Sequence, residues 1–214
     1  MPPAWLTPRV AVPLVISDEA VRLAVIDKLG WVKRQCAKFA AQSRQSQREM
    51  VNGESHYVLG KRYRLRVHEV DAPSRVAIRG IASLDLFVRP GANAAQREEV
   101  LLRWHREQLK ALIPQLLEKW QPIIGVQANH WGVKKMKTKW GSCNPSSGTI
   151  RLNTELAKKP RECIEYIVVH EMIHLIEPTH GPRFIALMDR FMPAWRETRE
   201  LLNRLPARHE RWNY

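Results

Sequence analysis

Apolar residues recur at intervals of three and four along several stretches of the chain and cluster in short, near-alternating runs between them. Val21, Val25, Leu29, Val32, Cys36 and Phe39 follow the helical spacing, with Ser17 or Asp18 placed to cap the start. Before them, Val10 to Ile16 alternates weakly around Pro13 and reads as an edge strand. Asn52-Gly53 signals a turn, and Tyr57–Leu59 with Arg62–Val67 reads as a hairpin. Arg62, Arg64 and Arg66 alternate along its second strand, so their side chains share one face. Arg75–Arg79 and Leu84–Arg89 supply two further strands, closed by Pro90-Gly91.

The longest helical segment is Asn93–Gln121, with a broad stripe from Val100 and Leu101 to Leu117 and Trp120. Pro114 is expected to kink it and Pro122 to end it. Ile123–Ala128, Val133–Trp140 and Thr149–Asn153 then read as short strands, with the turn-rich Gly141–Gly148 as a loop between the last two. Pro160 suits a first helical position, and the helix it opens is apolar over most of its circumference. Pro178 biases Glu177 away from helical angles, so that helix should stop near Ile176. Arg183–Leu205 forms a last helix. These boundaries give a loose lead-in at 1–9, a mostly β part at 10–92 with one helix, a core at 93–205 and a tail at 206–214.

The buried-looking helix carries Val168-Val169-His170-Glu171-Met172-Ile173-His174, and His180 follows six residues later. A buried helix bearing two histidines and a glutamate needs a compensating partner, and a metal ion supplies one. His170 and His174 stand one turn apart on one face, so both imidazoles reach one ion. Glu171 lies about 100° round the helix, placed to touch an activated water without ligating. The turn after Ile176 lets His180 return as a third ligand. Three protein ligands with an open position describe a catalytic zinc site, one Zn2+ per chain, where a structural site is closed by four. The competing reading keeps His170 and His174 as core histidines bonded to backbone. Glu197 from the last helix is an alternative third ligand, but His180 needs a shorter loop to recruit. With this motif, the order helix, small mixed sheet, metal-binding helix, backing helix is an α+β, minimal zincin-like layout.

Composition narrows the setting. Over 214 residues, 44% hydrophobic and 26% charged is ordinary globular usage. No apolar run approaches the roughly eighteen residues of a membrane helix, and the start lacks the basic-then-apolar pattern of a signal peptide, so a cytoplasmic protein without membrane contact is expected. Cys36, Cys143 and Cys163 are odd in number and form no Cys-x-x-Cys pair. This argues against a disulfide framework, and Cys36 and Cys163 read as buried thiols. A net charge of +14 attracts polyanions whatever the fold, so a nucleic acid or other polyanion, contacted through the basic strand or the polar run Gln42–Arg48, enters the list of partners.

Lys139-Trp140-Gly141-Ser142-Cys143, Gly148–Asn153, Pro160 and Tyr166 through His180 together resemble the YgjP-like metallopeptidase family, with SprT-like proteases as more distant relatives. Leu59-Gly60-Lys61-Arg62-Tyr63 fits the same resemblance. It implies zinc on His170, His174 and His180 and Glu171 as catalytic base. Metzincins share the six-residue spacing to the third histidine but have glycine at the bend where this chain has Glu177-Pro178, so the chain is not assigned to them.

Three functions follow in order of fit. The first is a zinc-dependent peptidase on a peptide or protein, with Arg183, Asn153 or Tyr166 as possible oxyanion donors, Thr149–Asn153 as an edge for an extended peptide, and Trp140, Ser142 and Cys143 shaping the cleft. The second is hydrolysis of a nucleotide phosphoanhydride, with arginines as phosphate clamps. The third is a nucleic-acid-binding module with a non-catalytic metal site.

Overall fold

The computed structural model describes residues 10, 12–13, 15–41, 49–136 and 138–205, so the lead-in 1–9, the polar run 42–48 and the tail 206–214 lie outside the described residues. The chain divides into two units, residues 1–45 with 206–214 and residues 46–205. In the first, α1 (Asp18–Ala41) forms where the helical spacing places it. The strand expected at Val10–Ile16 is not seen in its described residues, which are irregular or turn, and Val15 is 93% exposed. A proline without an N–H in a weakly alternating run leaves nothing to hold a ladder. Cys36, expected to be buried, is half-buried, whereas Cys163 is fully buried.

The second unit opens with a four-stranded sheet of β1 (Ser55–Val58), β2 (Lys61–Glu69), β3 (Arg75–Arg79) and β4 (Ser83–Val88), in the order β1-β2-β4-β3. β1 and β2 form the expected hairpin, its two turn residues Leu59 and Gly60 both at positive φ (47° and 82°), as the tight hairpin turn demands. A Cβ on Gly60 would lie 2.8 Å from Pro160 Cγ, so this turn can sit against the start of the histidine helix only with glycine there. β2 and β4 pair in parallel, with Leu65 opposite Leu84 and Val67 opposite Leu86.

α2 (Ala94–Ile124) begins with a capping box, Asn93 accepting from the Gln96 amide and the Gln96 side chain accepting from the Asn93 amide. Its end corrects the sequence reading. Pro122 lies inside the last turn, and the helix stops at Gly125, which takes the left-handed conformation at φ 79°. The strand expected at Ile123–Ala128 therefore does not form; Ile124 is a buried helical residue.

A second sheet follows, of β5 (His130–Lys134), β6 (Gly141–Asn144) and β7 (Thr149–Asn153), ordered β5-β7-β6. β5 is shorter and earlier than the expected Val133–Trp140, and β6 occupies the first half of the expected loop. Pairing with β7 makes Gly141–Asn144 a strand, Cys143 facing Ile150 and Gly141 facing Leu152. A short 3-10 helix, Thr154–Lys158, leads to Pro160, which sits at the cap position of α3 (Arg161–Ile173) rather than inside it. α3 ends three residues short of Ile176, and residues 174–176 form a turn.

The expected last helix is two, α4 (Pro182–Phe191) and α5 (Trp195–Arg204). Pro193 drives the residue before it out of the helical region, and Met192 has φ −140°, ψ 72°. Buried residues of α2, β7, α3, α4 and α5 share one core, in which Val168, Val169, Met172 and Ile173 are wholly buried. Burying such side chains is worth about 1.5–3 kcal/mol each, which anchors the helix that carries the histidines.

Candidate active site

α3 brings His170 to its last turn and His174 to its C-cap, still helical at φ −63°, ψ −16°. The chain then reverses, and His180 comes back just before Gly181-Pro182 opens α4. The three imidazoles meet. Nε2 of His170 lies 3.2 Å from Nε2 of His174 and 3.1 Å from Nε2 of His180, and the latter two are 3.1 Å apart.

His174 Nδ1 donates to the Glu177 carbonyl at 3.0 Å, so its ring proton is on Nδ1 and its Nε2 lone pair faces the other rings. Nitrogens so placed repel one another unless a cation lies among them. An ion with bonds of about 2.0–2.1 Å and tetrahedral angles holds its nitrogens about 3.3 Å apart, close to the triangle seen. The residues fit a metal ion. Burial first, then the charges of His174, His180 and Arg199, push the His170 imidazole down to about 3, which keeps it in the neutral form that ligates. His180 is lowered by the same kinds of influence.

Phe184, at the first turn of α4, packs against all three rings, with centroid distances of 4.9 Å to His170, 4.7 Å to His174 and 4.8 Å to His180. Phe184 lies in the helix expected over Arg183–Leu205, and its spacing of four from His180, across a helix start, was the available signal.

Glu171 is 5% exposed and lines the same cleft as the histidines, a cavity of about 580 Å³. Burial pushes its carboxyl up to about 7, against the opposing pull of Lys139. One wall of the cleft is Lys139–Cys143, and Arg199, Leu202 and Asn203 of α5 also line it. Cys143 is pushed up to about 11 by burial and by Glu171, so the thiol stays protonated and serves as wall rather than nucleophile.

Of the three oxyanion candidates, Tyr166 alone lines the cleft. Asn153 is occupied by backbone, accepting from the amides of Glu155 and Met136 and donating to the carbonyls of Met136 and Lys139. Arg183 does not line the cleft, and Glu197, the alternative ligand, lies exposed on α5 outside the histidine cluster. β7, expected as the edge for a peptide, is the central strand; the edge beside the cleft is β6. Arg199, missed from the sequence, carried no signal beyond its place on the last amphipathic helix.

The family model described as YgjP-like, metallopeptidase domain, matches residues 4–205. The chain belongs to that family. As a YgjP-like metallopeptidase domain it is a metal-dependent hydrolase of the peptidase class. No curated protein matches the sequence. Among solved structures, the metallopeptidase zymogen abylysin of Pyrococcus abyssi is similar at 24% identity and a TM-score of 0.39, over 42% of this chain and 90% of that one. The zymogen jannalysin of Methanocaldococcus jannaschii is similar at 22% identity and a TM-score of 0.38, over 42% of this chain and 92% of that one. Among the described residues no helix is long and apolar enough to cross a membrane.

Proposed function

We propose that this YgjP-like domain hydrolyses peptide bonds with one zinc ion held by His170, His174 and His180, and that Glu171 is the general base, within a hydrolase core at 93–205. The observation that carries the proposal is the triangle of Nε2 atoms, 3.1–3.2 Å on a side, opening on a cleft that a buried carboxylate also lines. Zinc, when bound, acidifies water and polarises a carbonyl oxygen.

The chain's own residues do the rest. The His174–Glu177 bond orients one ligand ring, and Phe184 holds all three. Glu171 takes a proton from the attacking water and returns it to the departing amine nitrogen. The Tyr166 phenol, protonated and in the cleft, is a donor for the oxygen that gains charge. An extended peptide can add to the free edge of β6, which runs beside Glu171.

Nothing in the cleft favours the nucleotide reading: Arg62, Arg64 and Arg66 do not line it, and its cationic side chains are Lys139 and Arg199. The test is hydrolysis of fluorescein-labelled casein by wild type and Glu171→Gln. The variant should keep zinc and lose turnover by about 10²-fold or more; full activity in the variant refutes the assignment of the base.

A further inference from the structure

The four-stranded sheet has a face that the peptidase chemistry does not use. Along β2 the inward residues are Tyr63 and Leu65, and Arg62, Arg64 and Arg66 are exposed on the other side. Register places more on that face. Ser83 lies between Arg64 of β2 and Arg79 of β3, Asp85 between Arg66 and Ala77, and Phe87 between His68 and Arg75.

The single carboxylate in these rows, Asp85, is 2% exposed and is already taken by Arg79 at 3.0 Å and His68 at 3.4 Å. Arg64 donates to the Gly53 carbonyl. Among the described residues no carboxylate pairs with Arg62 or Arg66. Alternate residues of a strand are about 6.7 Å apart, so β2 presents a row of guanidinium groups at a regular step suited to an extended chain of anions.

The face also offers stacking. Phe87 is covered on one side by the His68 ring, 4.8 Å away and near-parallel, and the Arg75 guanidinium lies over it at 4.0 Å. Arg75 is itself exposed, and Tyr57 stands half-buried at the end of the same face opposite Arg62. A base stacks on the face of a guanidinium or a phenol ring, whereas a carboxylate pairs with the guanidinium edge and gains nothing from either face.

We propose that the outer face of the β1-β2-β4-β3 sheet binds single-stranded nucleic acid, through phosphate contacts from Arg62, Arg64 and Arg66 and base stacking at Arg75 and Tyr57. This binding is separate from the hydrolytic cleft and does not depend on its metal.

The experiment is fluorescence anisotropy of the full chain with labelled sixteen-nucleotide oligo-dT, oligo-U and a DNA duplex, across salt concentrations. Both single strands should bind more tightly than the duplex, and the two arms report any preference between DNA and RNA. The double variant Arg62→Glu/Arg66→Glu should weaken single-strand binding about tenfold or more at low salt and flatten the log–log salt slope by about 1.4, two contacts' worth. Arg75→Glu should weaken it independently. Arg106→Glu/Lys110→Glu, the same charge change on exposed positions of α2, should weaken it far less, and thermal melting confirms that each variant is folded. No binding by wild type at low salt overturns the proposal, as does equal weakening by the α2 control. Equal displacement by polyglutamate would assign the face to acidic polypeptides instead, and a duplex bound as tightly as the single strands would remove the stacking argument.

Discussion

The backbone of Gly141 lies directly against the Glu171 carboxylate: a Cβ at Gly141 would come within 2.5 Å of Glu171 Oε1 and 2.8 Å of its Cγ and Cδ. Any side chain there pushes the carboxylate aside. Gly141→Ala should therefore lower kcat by about 10²-fold, the effect of misplacing a catalytic group by about 1 Å. Zinc content should be unchanged, since none of the three histidines is displaced. Kinetics on labelled casein with metal analysis of the same sample check both halves; loss of zinc would mean that Gly141 supports the whole site.

Phe184 is the support shared by all three imidazoles. Phe184→Ala should destabilise the fold by about 3–5 kcal/mol, as buried aromatic truncations do. It should also weaken zinc binding by about tenfold to a hundredfold by freeing the rings. Denaturant unfolding and a chelator competition measure the two effects, and Phe184→Leu should recover most of the stability but less of the affinity.

Glu165 joins α3 to α2, accepting from Lys119 Nζ at 2.6 Å and Trp120 Nε1 at 2.8 Å. Burial alone would raise its carboxyl, but these two bonds, with the charges of Lys119 and Arg161, hold it below its ordinary 4.5. A depressed carboxyl contributes stability above its unfolded value and loses it as pH falls through the folded one. Glu165→Gln should cost about 1–2 kcal/mol at pH 7, allowing for the exposure of Lys119. The gap to wild type should narrow as pH falls below 4.5. Chemical denaturation at pH 7 and pH 3.5 tests this; a gap independent of pH would contradict it.

Lys159 is shifted in the same direction, but for an ammonium a lowered pKa means that the charged form is disfavoured in the folded state. Burial pushes its ammonium down from 10.5 to about 8, against the pull of the Glu155 carboxylate, and its Nζ lies 5.2 Å from the centre of the Trp140 ring. Below pH 8 both states hold the proton. Between 8 and 10.5 the unfolded chain binds more protons than the folded one, so this group makes stability rise with pH. Lys159→Met should thus compare best with wild type near pH 7 and lose ground steadily from pH 8 to pH 10, read from paired unfolding curves.

Much of this was legible in the residues because local rules decided it. The hairpin of Tyr57–Leu59 with Arg62–Val67, the long helix from Asn93 and the spacing His170, His174, His180 each follow from patterns local in the chain. Where two local signals competed, the reading failed. Pro122 looked like a helix end, yet the helix runs past it, and Gly125 in the left-handed conformation sets the boundary. Pro193, inside the helix expected over Arg183–Leu205, decides the break there by driving Met192 out of the helical region. Pairing across distance was not legible at all. That β6 and not β7 is the sheet edge depends on which strands meet, and Gly141–Asn144 carries turn residues that only the β7 ladder straightens. Gly141 against Glu171 is likewise a tertiary contact with no local signature.

The central claim is that His180 completes a three-imidazole site for one ion. The direct measurement is the zinc-to-protein ratio by mass spectrometry of metals after dialysis, for wild type and His180→Ala. The account predicts a ratio near one for wild type and a large loss in the variant with the fold intact. A variant that retains its full complement of zinc would contradict it.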